Sequence, residues 1–207
     1  MDVAHPQSVI SPTLDGAVLT LLARTNRPLT GREVARLLER RSHGGVLDAL
    51  NRLTKQGIVN RQEAGRALLY TLNREHVATP AVELLAELRP ELLRRLSEAI
   101  GGWKIAPAHA SMFGSTARGD GDTDSDIDLF IVRPDEVDED DATWRGQLDS
   151  LSSQAFRWTG NRAAIAEVAV KEVKRMRRQN SPIVKDLRSD AIALAGPEVS
   201  AILVADR

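Results

Sequence analysis

Asp126 and Asp128 stand two residues apart at the start of an apolar stretch, Ile127 to Val132, that has the composition of a strand. Residues two apart on a strand project from one face, so the carboxylates lie side by side while Ile127, Leu129 and Ile131 turn the other way into a core. Two carboxylates held together repel, and a divalent cation is their natural partner. Upstream, Gly114 lets the backbone approach a ligand closely, and Ser115 with its N–H can meet a phosphate. Arg118 adds a cation at the same mouth. A phosphate cradle beside paired metal ligands is the equipment of phosphoryl or nucleotidyl transfer.

Placing these groups requires an apolar strand before Gly114, a Gly-Ser turn, a polar loop, and a second strand that carries the acids. Gly114-Ser115, ten intervening residues and Asp126-Ile127-Asp128 resemble the signature of the DNA polymerase β-type nucleotidyltransferase superfamily. The run Gly114-Ser115-Thr116-Ala117-Arg118-Gly119, followed by Ser125-Asp126-Ile127-Asp128-Leu129, is especially similar to its minimal-nucleotidyltransferase branch. The resemblance covers roughly residues 100–200.

It implies a third acid on a later strand between apolar neighbours. Glu167, in Ala166-Glu167-Val168, takes that role, and Glu172 is the second candidate. It further implies that Asp126 and Asp128 bridge two Mg²⁺ ions, with Glu167 completing the one that activates an acceptor hydroxyl. The substrate implied is an NTP, whose departing pyrophosphate meets Gly114, Ser115 and Arg118, and the acceptor is a protein or an RNA. Small members are often halves of toxin–antitoxin pairs.

The flanking elements follow from local patterns. Residues 143–157 read as an amphipathic helix with Trp144, Leu148 and Leu151 on one side, after an acidic loop over 134–142. Residues 163–170 read as a strand, 171–179 as a basic helix or turn, 182–189 as a short helix, and 191–195 as a last strand. Lys171, Lys174, Arg175, Arg177 and Arg178 hold an acceptor nucleic acid or a triphosphate tail, or form a solvated helix face. His109 reads as a strand residue without a catalytic role.

Ahead of this half, residues 1–12 read as a loose arm, followed by three helical patterns and a hairpin over residues 14–73. Thr30 and Glu33 form a capping box for the second helix. Ser42, after Arg40-Arg41, caps the third, whose first turn is weakened by Gly44-Gly45. The pattern resembles a bacterial winged helix-turn-helix. Carried over, that resemblance puts Ser42, His43, Asn51, Arg52 and Lys55 on or near a DNA-reading helix, with Arg61 and Arg66 on the wing. The alternative is a winged helix used only for protein contact. Residues 79–100 connect the halves, divided or kinked at Pro90, and their apolar stripe is either core or a homodimer seam.

The expected chain is therefore α/β (α+β): a winged helix over 1–78, a helical connector over 79–100, and a nucleotidyltransferase fold with a mixed sheet and flanking helices over 101–207. A transcriptional regulator that only senses nucleotide through its transferase fold is the alternative. An antibiotic-modifying transferase is weakened by the N-terminal winged helix. At 42% hydrophobic residues the chain has enough for packed cores, and the absence of cysteine excludes disulfides, cysteine-zinc sites and thiol catalysis. No apolar run reaches the ~18 residues of a membrane span, and no signal-peptide pattern opens the chain, so no membrane partner and a cytoplasmic location are expected. The net charge of −1 conceals a net −8 over residues 101–150 and +4 over residues 1–75. An acidic middle suits a metal site and a basic first segment suits nucleic acid.

Overall fold

The computed structural model describes residues 1–38, 42–179 and 181–204; Arg40 and Arg41 lie outside them. The chain forms two compact units, His5–Arg89, and Met1–Ala4 together with Pro90–Arg207.

In the first unit a 3-10 turn, Pro6–Val9, occupies part of the expected loose arm. It is followed by α1 (Leu14–Ala23), β1 (Leu29–Thr30), α2 (Gly31–Leu37), α3 (His43–Lys55), β2 (Val59–Ala64), β3 (Ala67–Leu72) and α4 (Thr79–Ala86). The Thr30–Glu33 capping box is formed, with Thr30 Oγ1 accepting from Glu33 N at 3.2 Å and Thr30 N donating to Glu33 Oε2 at 2.8 Å. Ser42 Oγ accepts from Gly45 N at 3.2 Å, so α3 begins through both glycines. The strands are antiparallel in the order β1-β3-β2. β1 was not foreseen, since two residues cannot display an alternation. Val18, Leu22, Val34, Val46, Leu50, Leu53, Tyr70 and Val82 form the core of this unit.

The division of the chain falls in the first turn of α5 (Leu88–Gly101). The expected connector is therefore shared out: Val82 of α4 belongs to the first core, and Leu92, Leu96 and Ile100 of α5 to the second. These residues are spent as core and are unavailable as a dimer seam. Pro90 is the third residue of α5, inside the first turn, where its missing N–H costs nothing.

The second unit continues with β4 (His109–Met112), α6 (Gly114–Arg118), β5 (Ile127–Arg133), α7 (Ala142–Thr159), β6 (Ala163–Ala169), α8 (Val170–Arg178), α9 (Pro182–Asp190), β7 (Ile192–Ala195) and α10 (Val199–Val204). Its sheet runs β6-β5-β4-β7 and is mixed: β5 and β6 are parallel, joined through α7, and the other pairs are antiparallel. Period-two alternation along β5 divides the packing. Ile127, Leu129 and Ile131 meet α5 and α7, including the fully buried Trp144. Phe130 and Val132 meet Val173 of α8, Val184 and Leu187 of α9, and Leu203 of α10. α10 follows Gly196-Pro197 and was not foreseen. Among the described residues no helix is long and apolar enough to cross a membrane.

Candidate active site

Asp126 and Asp128 lie at the N-terminal end of β5, Asp128 within the strand and Asp126 just before it. They lie on the face opposite Ile127 and Leu129, as the alternation requires. Burial, then the charge of Asp126, push the Asp128 carboxyl above its usual range, and Arg118 draws it partly back. Asp128 thus favours a cation or a proton beside it.

Gly114 follows β4 and Phe113, whose N–H donates to Asp128 O at 3.0 Å. Its φ of +70° belongs to glycine, and a Cβ placed there would strike the Asp128 carboxylate. The Gly-Ser segment and the acidic pair are therefore in direct contact, with no room for a methyl group between them. The loop beyond is folded onto itself. Ser115 O accepts the amides of Gly119, Asp120 and Gly121 at 2.9, 3.1 and 3.3 Å, and Gly114–Arg118 forms one helical turn where a plain loop was expected. Thr116 Oγ1 donates to Asp126 O at 2.9 Å, pinning the acid to the turn.

Two groups with little signal in the sequence hold this arrangement. Asn161, buried just after the α7 stop at Gly160, donates its Nδ2 to Thr123 O at 3.2 Å and Ser125 O at 2.9 Å, anchoring the segment that delivers Asp126. Asp190 at the end of α9 accepts from Arg118 Nη1 at 2.8 Å, and Asp120 from Arg118 Nε at 3.3 Å. Arg118 is thus a paired cation, its pKa raised by both acids, and must exchange partners to meet a phosphate. Asp186, one turn before Asp190 on α9, lies within electrostatic reach of Asp128. The only sequence signal for Asn161 was its place after a helix-stop glycine; Asp190 and Asp186 gave none.

The structure does not bring Glu167 to this site. β5 and β6 pair Ile131 with Glu167 and Asp128 with Ala164, so Glu167 shares the face of Ile131 and points away from the acidic pair. There its Oε1 accepts from Arg133 Nε at 2.6 Å and from Trp144 Nε1 at 3.2 Å. Glu172, the second candidate, caps α8 by accepting from Ala169 N at 2.9 Å. Among the described residues no cluster of three or more His, Asp or Glu is assembled for a metal. The two hard carboxylate oxygen donors of Asp126 and Asp128 suit Mg²⁺ chemically, with substrate phosphates as the remaining oxygen ligands.

In the first unit Ser42 is spent as a helix cap and Arg52 is tied to Asp15 at 2.5 Å. His43, Asn51 and Lys55 are exposed on α3, and Arg61 and Arg66 on the hairpin.

No curated protein and no solved structure matched the chain. Residues 90–190, which contain Gly114, Ser115, Asp126, Asp128 and every group holding them, match the family model of the nucleotidyltransferase domain.

Proposed function

We propose that the second unit transfers NMP from an NTP to a hydroxyl of a protein or RNA, and that the first unit is a DNA-binding winged helix serving it, as in an autoregulated toxin–antitoxin operon. The observation that carries the transferase half is the contact between Gly114 and the Asp128 carboxylate, which sets the Gly-Ser turn directly against the acidic pair. Mg²⁺ held by Asp126 and Asp128 would neutralise the triphosphate and acidify the acceptor hydroxyl. Ser115 and the turn around it orient the phosphates, and Arg118, released from Asp190 or Asp120, balances charge on the departing pyrophosphate. His43, Asn51 and Lys55 would face DNA from α3, with Arg61 and Arg66 against its backbone.

The second reading is a regulator that binds nucleotide without turnover. It is favoured by β6, which offers Ala164 beside Asp128 while Glu167 is committed to Arg133. Incubation with each α-labelled NTP, Mg²⁺ and cell lysate separates the two. A labelled macromolecule supports transfer; NTP binding without label supports sensing.

A further inference from the structure

Residues 170–190 carry seven basic and three acidic side chains, and each of the acids has a role beyond pairing with the stripe. Glu172 caps α8, Asp190 holds Arg118, and Asp186 lies within electrostatic reach of Asp128. The exposed cations outnumber the carboxylates beside them. Lys171, Lys174, Arg175 and Arg178 follow one stripe of α8 at i, i+3, i+4 and i+7 and line a concavity of about 390 Å³ with Asp135. Lys185 and Arg188 of the next helix line another of about 470 Å³. Among the described residues only Arg175 of these six has a carboxylate partner, Glu172 at 3.7 Å. The Asp135 carboxylate that shares the first concavity accepts from Lys171 N at 2.9 Å.

The stripe from Lys171 to Arg178 extends about 10 Å along the helix, at 1.5 Å per residue. α8 starts where β6 ends, beside Arg133, five residues along β5 from Asp128, or about 17 Å. A triphosphate whose reacting end lies at Asp126 and Asp128 therefore does not reach Lys171. A longer polyanion is needed to touch both ends, and α9 adds Lys185 and Arg188 ahead of Asp190, which holds Arg118. Among the described residues no aromatic side chain lines either concavity, so base stacking is not offered there and the cations meet chiefly phosphates.

We infer that α8 and α9 bind a nucleic acid by its phosphodiester backbone. Resting on the transferase reading, this makes the acceptor a nucleic-acid hydroxyl and not a protein one.

The test is fluorescence anisotropy of labelled single-stranded RNA and DNA 12-mers with the full chain carrying Asp126→Asn and Asp128→Asn, in EDTA. Binding is thereby read without transfer, so loss of the transferase reading leaves this result interpretable. Strand binding should weaken with salt, with a slope falling by about 0.7 for each phosphate contact removed. Lys174→Glu with Arg178→Glu, and Lys185→Glu with Arg188→Glu, should each lower affinity at least ~10-fold at low salt. Lys174→Arg with Arg178→Lys should retain it, which separates charge from folding. RNA bound more tightly than DNA would mark RNA as the acceptor, and the reverse would mark DNA. Charge-reversed chains that bind both strands as tightly as the parent, or equal binding of a glutamate-rich peptide, would overturn the inference.

Discussion

Arg133 and Glu167 are joined across β5 and β6 by a 2.6 Å ion pair, their side chains 9% and 16% exposed. Trp144 and the carbonyl of Val137 complete the cluster, which ties the far end of the sheet to α7 and the acidic loop. Removing one member strands the other charge, at a cost of about 3 kcal/mol. Glu167→Gln should therefore unfold at lower denaturant while its folded fraction transfers at close to the parental rate. Chemical denaturation together with active-site-normalised rates measures both. Parental stability with lost turnover would return Glu167 to the chemistry.

Gly114→Ala tests the contact between the turn and the pair. The methyl would force Asp128 aside and strain a φ of +70°. A displacement of about 1 Å at a reacting centre costs on the order of 100-fold. Steady-state transfer should drop by that factor with far-UV circular dichroism unchanged; an unaltered rate would remove the turn from the site.

Asp128 makes a prediction with a defined sign. Its carboxyl holds its proton more tightly folded than at the ordinary value of 3.8. Its contribution to stability is therefore fully present below 3.8 and lost as pH rises through the folded-state value. Without metal, Asp128→Asn should melt higher than the parent at pH 7, and the gap should close toward pH 3.5. Mg²⁺ should narrow the gap at pH 7 by stabilising the parent alone. Calorimetry showing the variant less stable at pH 7 without metal would contradict the repelling pair.

His109 has the opposite sign. It is fully buried, Nδ1 donates to Pro197 O at 2.8 Å, and among the described residues Nε2 has no hydrogen-bond partner. Burial lowers its pKa from the ordinary 6.5, opposed by the Pro197 carbonyl and Glu198. The stability it lends is complete above pH 6.5 and lost as pH falls below it toward the folded-state value. His109→Asn keeps a donor for Pro197 without the titration. Its melting temperature should fall less than the parent's between pH 7 and 5, and equal slopes would remove His109 as the cause.

What the sequence made legible was local. Asp126 and Asp128 share a face because a strand alternates every two residues, and Thr30–Glu33 cap a helix because the box closes within four. Glu167 fits the same local rule, apolar-acid-apolar, yet its face is set by its register against Ile131, a partner 36 positions away whose pairing no short pattern encodes. Arg118 looked like an open cation because Asp190, which neutralises it, lies 72 positions on. Asn161 follows a helix-stop glycine, and its role appears only once α7 brings it under Thr123 and Ser125.

In the proposed reaction the Asp126–Asp128 pair carries metal-dependent nucleotidyl transfer without Glu167. The most direct test is the initial rate of α-label transfer from NTP as a function of Mg²⁺, for the parent, the Asp126→Asn, Asp128→Asn double variant, and Glu167→Gln, per folded protein. The parent and Glu167→Gln should saturate with Mg²⁺ at similar rates, with the double variant at background. Transfer in EDTA, or a double variant as active as the parent, would contradict the account.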